Sequence, residues 1–144
     1  MRLTQYTDFS LRVLIYLGLA GEELTTIRAI TDSYGISRSH VMKVVQKLSK
    51  MGYVTAIRGQ GGGLRLGRPA AEIKLGALVR DMEPDFEMVE CFREKQHCAI
   101  DSACHLPGFL DDAVRVFIKE LDKHTLADLI PRSSSGKLIR LLNL

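Results

Sequence analysis

Residues 26–68 read TIRAITDSYGISRSHVMKVVQKLSKMGYVTAIRGQGGGLRLGR, and the fold turns on this stretch. Thr26 offers a hydroxyl to cap a short helix whose Ile27, Ile30 and Tyr34 face inward, and Gly35 ends it. Ser37 starts a longer helix in which Val41, Val44, Val45, Leu48 and Met51 form one continuous apolar stripe, with Gly52 as the stop. Arg38, Ser39, Met42, Lys43, Gln46, Lys47 and Lys50 occupy much of its remaining surface. A short helix, a tight turn at Gly35-Ile36 and a longer helix with a basic outer face make a helix-turn-helix. Residues 53–57 then read as a strand, RGQGGG at 58–63 makes a turn, and 64–66 returns with alternating pattern. A glycine-rich hairpin directly after such a helix is a wing, and Arg58, Arg65 and Arg68 put charge on it. The same glycines do not make a nucleotide loop: they miss the GxGxxG spacing and lead into no helix.

Charge distribution points the same way. The net charge is only +3, yet residues 1–75 hold 11 Lys/Arg against 5 Asp/Glu, while 76–144 hold 9 against 12. Between Arg38 and Arg68 there are seven basic residues and no acidic one. A one-sign segment in a nearly neutral chain suits a polyanion, and the expected partner is double-stranded DNA. The N-terminal part of the longer helix, with Arg38, Ser39, His40 and Lys43, is the part expected to enter the major groove. Lys47 from the same helix and Arg58 and Arg65 from the wing complete the expected DNA-binding set.

Upstream, Thr7 is expected to cap a first helix, with Asp8 well placed for its dipole and Leu11, Leu14, Ile15 and Gly18 along one face to about Gly21. Asp8 and Arg12 stand one turn apart, and the plainest reading of them is a surface ion pair. Downstream, Pro69 opens a helical stretch to about Met82, ended by Glu83-Pro84. Residues from 83 to 105 show no clean periodicity and read as a loop. Leu106, Leu110, Ala113, Val114, Phe117 and Leu121 mark a long amphipathic helix, and its stripe favours a subunit interface, hence a homodimer. Thr125 caps a brief helix through Ile130, and 131–144 read as a flexible tail with Pro131 and Ser133–Gly136 at its start. The expected class is therefore mainly α: a winged helix-turn-helix over 1–82 with a two-stranded β wing, a cysteine-bearing loop over 83–105, a dimerisation helix and short helix over 106–130, and the tail.

The 144 residues are 46% apolar, enough for one packed domain with an appendage. No apolar run reaches the ~20 residues of a membrane span, and MRLTQYTDFSLR carries charge where a signal peptide is apolar, so a cytoplasmic protein without membrane contact is expected. Three cysteines, an odd number, exclude a closed disulfide framework. Cys91, Cys98 and Cys104 are spaced C-x6-C-x5-C, neither a zinc-finger nor a ferredoxin pattern. Such thiols can converge on an iron–sulfur cluster, on zinc with His97 or His105 as fourth ligand, or stay separate; spacing alone leaves all three open. No paired acid/base residues or cofactor motif suggest an enzyme.

Together, MRLTQYTDFSLR, RGQGGGLRLGRPA, the three-cysteine loop and ELDKHTLADLI resemble the winged-helix iron–sulfur transcriptional regulators of bacteria, over Met1 to about Ile130. Within that family the resemblance is strongest to its nitric-oxide-sensitive repressors. It implies a homodimer crossed through the long helix, with Cys91, Cys98 and Cys104 holding an iron–sulfur cluster near the subunit interface. The partner subunit's Asp8 would be a fourth ligand in the favoured four-iron (4Fe-4S) form; a two-iron (2Fe-2S) form is the other option. Arg12 would couple, by taking the carboxylate once it is freed. The implied function is repression with the cluster intact and release of operator DNA when nitric oxide attacks it. The sister regulators of iron–sulfur status carry a histidine three residues after the third cysteine, where this chain has Pro107, and lack the Asp of TDFSLR. They are the first alternative; a zinc-stabilised DNA-binding protein is the second.

Overall fold

The computed structural model describes residues 2–92 and 98–144. Helix α1, Gln5–Ala20, is followed by α2, Ile27–Tyr34, and α3, Arg38–Lys50; a hairpin of β1, Val54–Ile57, and β2, Gly63–Leu66, comes next. After a 3-10 turn at Ala70–Glu72 come α4, Leu75–Met82, α5, Leu106–Leu121, α6, Leu126–Leu129, and α7, Arg132–Leu142. The mainly α winged architecture is as the sequence implies.

The cap of α1 sits one turn earlier than expected. Thr4, not Thr7, is the N-cap, and its hydroxyl accepts the Thr7 amide at 3.3 Å. Thr7 is buried inside the helix with Ser10, Val13, Leu14, Tyr16 and Leu17, so the core-facing stripe is rotated from the Leu11–Ile15 face. Ser10 is tolerated there because its hydroxyl bonds back to Tyr6 O at 2.8 Å. Gly18 lies against α6, where a Cβ would come within 2.7 Å of Ile130 Cδ1.

Val41, Val44, Val45 and Leu48 of α3 pack beneath α1 and α2 with Ile30, as the stripe requires. Each fully buried aliphatic side chain contributes roughly 1.5–3 kcal/mol. The wing is antiparallel, with Val54 opposite Leu66 and Ile57 opposite Gly63. Its far edge is anchored: Leu64 exchanges backbone hydrogen bonds with Thr25, at 2.9 and 2.8 Å, so the wing is fixed to the loop before α2.

The stretch after Pro69 is broken where one helix was expected. Ile73 and Lys74 leave the helical path because their backbone pairs with residues 124–126: the Leu75 amide donates to His124 O at 2.9 Å, and the Leu126 amide to Ile73 O at 2.8 Å. The same junction is held by a two-point Arg80–Asp122 ion pair and by Gly76, where a Cβ would meet Asp122 Oδ1 at 2.2 Å. Thr125 and Asp128 form a capping box on α6.

The expected flexible tail is instead a helix. In α7 Leu142 is buried, and the Ser33 hydroxyl donates to Leu142 O at 2.6 Å. Leu138, Ile139 and Leu142 recur at helical spacing behind the serine run, and closing onto α1 and α2 removes that apolar side from water. Leu126 and Leu142 thus join the same core as Leu14, Leu17 and Leu48. Among the described residues no helix is long and apolar enough to cross a membrane.

Candidate nucleic-acid interface and cysteine segment

Helix α3 buries one side and offers the other. Arg38, Ser39, His40, Met42, Lys43, Gln46 and Lys50 are exposed. Ser37 is the N-cap but makes no cap bond; its hydroxyl stands 2.9 Å from His40 Nδ1 and 3.3 Å from Ser39 Oγ. The first amides of α3 thus carry no side-chain cap, and together with the helix dipole they suit an anion such as a DNA phosphate. Among the described residues Arg38, Lys43 and Arg58 have no ion-pair partner.

The other expected DNA contacts are drawn partly inward. Lys47 Nζ lies over the Tyr6 ring at 5.5 Å and donates to Met82 O at 3.4 Å, so its charge serves the α1–α3–α4 junction. His40 stands beside the Phe9 ring at 5.9 Å between centroids. Arg65 remains exposed on the wing with Glu22 at 3.7 Å. Arg68 does not extend from the wing: it donates to Met51 O and Gly52 O and covers the Tyr53 ring at 4.4 Å. Sequence reasoning left Met42 and Gln46 without a role, although both point outward beside Lys43; the signal available was their offset from the buried valines.

At the start of α1, Asp8 and Arg12 form a two-point ion pair, at 2.8 and 3.1 Å, with both side chains about two-fifths exposed. The Arg12 guanidinium also lies 5.9 Å from the rings of Phe9 and Tyr34. The Thr4 amide and hydroxyl both donate to Glu83 Oε1, at 2.8 and 3.1 Å, so the start of α1 is fastened to the first residue after α4. Beside it, the Tyr6 hydroxyl donates to Lys43 O at 2.9 Å. The same neighbourhood therefore joins α3 to the root of the cysteine segment.

That segment makes 3-10 turns at Glu90–Phe92 and Asp101–Ala103, and its Phe86 lines an open groove together with Thr4, Val114 and Phe117. Cys91 and Cys104 are half-buried, Cys98 is exposed, and all three are free thiols. Among the described residues no group of three or more His, Cys, Asp or Glu side chains stands close enough to hold a metal ion. Asp8 and the three cysteines are thus not brought together within this single chain, and His97 lies outside the described residues. In chemistry the donors fit: three thiolates on 14 residues are soft ligands suited to iron and sulfide. Pro107 occupies the first turn of α5 and offers no side-chain donor.

Helix α5 buries only Ile118 fully, while Leu106, Phe109 and Val116 are exposed by 49%, 71% and 68%. Three large apolar side chains at i, i+3 and i+10 thus leave one face of this helix uncovered by the described residues.

Comparison with known proteins adds the family. A model described as Rrf2, iron-dependent transcriptional regulator, matches residues 3–132. The chain belongs to the Rrf2 family. It is thus placed among DNA-binding transcriptional regulators rather than enzymes. The solved structures most like this Rrf2 chain include CymR, the global cysteine regulator of B. subtilis, at 26% identity over 90% of this chain and 95% of that one, with a TM-score of 0.69. The oxidised form of Staphylococcus aureus CymR matches at 25% identity, 90% and 95% coverage and TM-score 0.66. IscR of T. potens, at 21% identity, 90% and 86% coverage and TM-score 0.71, shares the fold.

Proposed function

We propose that this Rrf2 protein is a homodimeric transcriptional repressor that binds operator DNA through α3 and the wing and senses its signal at an iron–sulfur cluster on Cys91, Cys98 and Cys104. The observation that carries the reading is three free thiols on the one segment joining the winged helix to α5, in a family described as iron-dependent. A bound cluster would supply iron sites that nitric oxide coordinates, at the expense of the bonds holding the cluster to the protein.

The chain's own residues supply the rest. Cys91 lies eight residues after Glu83, which is fastened to α1, and Cys104 lies two residues before the start of α5, so a group bound by both would tie the DNA-binding head to the dimer helix. The partner subunit's Asp8 is the proposed fourth ligand, a role that requires Arg12 to let its carboxylate go. A tether of this kind need hold the two heads at operator spacing by only about 1.4 kcal/mol to change DNA affinity tenfold.

Nitric oxide is the proposed signal because Pro107 removes the histidine that marks the family's iron–sulfur-status regulators. A second reading keeps the cluster and makes its supply the signal; the family description, which names iron and not nitric oxide, favours it. Anaerobic purification followed by iron, sulfide and visible-spectrum measurement, with duplex binding before and after nitric oxide, tests both. Iron and sulfide with release by nitric oxide support the first reading. A cluster whose reaction with nitric oxide leaves DNA binding unchanged supports the second, and equimolar zinc contradicts both.

A further inference from the structure

We infer that Met42 is a specificity-determining residue: its side chain reads the 5-methyl group of a thymine in the major groove. The inference rests on the DNA-binding reading above and names what one side chain of that surface recognises.

Successive residues of an α-helix are turned by about 100°, so Ser39, Met42, Lys43 and Gln46 share the side of α3 opposite Val41, Val44 and Leu48. On this otherwise polar and cationic side Met42 is the one large apolar residue, 49% exposed. An isolated exposed apolar side chain needs no explanation elsewhere on a surface. Here it lies on the face that enters the groove, flanked by Ser39 one turn before and Gln46 one turn after, with Lys43 beside it. About half of it is left uncovered by the described residues, so its end is free to meet a ligand.

A thioether side chain has no hydrogen-bond donor and only a weak acceptor, so it cannot read an amide or carbonyl edge with strength. Of the groups in the major groove, only the thymine methyl is apolar. The Met42 chain is unbranched and flexible enough to close on a methyl without moving the helix. Lys43 and Arg38 supply the phosphate attraction that any sequence shares; Met42 adds a preference that salt does not screen.

The test uses full-length, anaerobically purified protein and a duplex recovered by it from a randomised library. Each thymine pair related by the two-fold axis is replaced in turn by deoxyuridine, which lacks only the methyl group. The wild-type protein should lose about fourfold per half-site at one symmetric position, the value of burying one methyl group. Met42→Ala should bind thymine and uracil duplexes equally there, with an unchanged salt slope, and Met42→Leu should keep the discrimination. Thermal melting of both variants checks that they fold; Met42 is exposed, so little change is expected. Equal loss on uracil substitution in wild type and Met42→Ala, or no loss at any thymine, overturns the assignment while leaving DNA binding in place. Failure of the wild-type protein to enrich any duplex overturns the DNA-binding reading and this assignment with it.

Discussion

Asp8 and Arg12 show how little a contact's geometry says about its purpose. Their spacing was legible in the sequence as an i, i+4 pair, and the pair is present at 2.8 Å. Exposed as both side chains are, it is worth at most about 1 kcal/mol, little enough for the carboxylate to change partners as proposed. Asp8→Ala should leave the melting temperature nearly unchanged while altering the visible spectrum of the iron-loaded protein and its response to nitric oxide. A variant indistinguishable from wild type in spectrum and release would return Asp8 to the role of a helix-start acid. Arg68 is the opposite case. The sequence placed its charge on the wing, but a guanidinium can reach back, and here it satisfies two carbonyls and covers Tyr53. Arg68→Ala should therefore lower stability by about 1 kcal/mol, the low end of the cost of stranding a partly buried carbonyl, here that of Met51, with little effect on the salt slope of DNA binding. Tyr53 is buried under it, and burial, with the Asp81 hydrogen bond added, pushes its hydroxyl up to about 12. The neutral form is the one the fold favours, so this stabilisation is complete below pH 10 and lost between about pH 10 and 12.

At the level of elements, α3 and the wing were readable because local rules suffice: an apolar stripe of period 3.6, glycine stops and a glycine-rich turn. Lys43→Ala and Arg58→Ala should each weaken duplex binding and reduce its salt slope by about one per half-site, hence about two for the dimer, as loss of a phosphate contact in each subunit does. Unchanged slopes in both would move the interface elsewhere. The cap of α1 was misplaced by one turn because Thr4 and Thr7 are both threonines before an apolar run, and the bonds that hold Thr4 in place run to the distant Glu83. The break between Ala70–Glu72 and α4 was hidden for the same reason: it depends on backbone bonds to residues 124–126, some 50 positions away. Gly76 is the residue that lets α4 approach that junction. Gly76→Ala should destabilise the fold by about 1–3 kcal/mol, since the new methyl group meets Asp122, and thermal melting reads this directly. The Arg80–Asp122 pair holds the Asp122 carboxyl below the usual range, so its contribution is present above about pH 4 and fades as the pH falls further.

For the whole molecule, the fold is one core that α6 and α7 re-enter, which explains why the last residues are helical rather than loose: Leu142 has somewhere to go. That docking could not be read from a serine-rich start and a glycine at 136, whose local preference is weak. From the residues alone the cysteines were visible only as a spacing, because the role proposed for them depends on a bound group and a second subunit that no single-chain pattern encodes. The open face of α5 is the surface on which that second subunit is proposed to sit. Phe109→Glu with Val116→Glu should give a folded monomer by sedimentation, with duplex affinity reduced by orders of magnitude because one half-site remains. Whether a cluster on Cys91, Cys98 and Cys104 sets DNA affinity can be read by titrating nitric oxide anaerobically into the protein–duplex complex while following visible absorbance and bound DNA together. Both should change over the same range of added nitric oxide, and each Cys→Ala variant should be colourless, folded and unresponsive. Colourless, iron-free protein that holds the same duplex with the same affinity would contradict that role for the cluster.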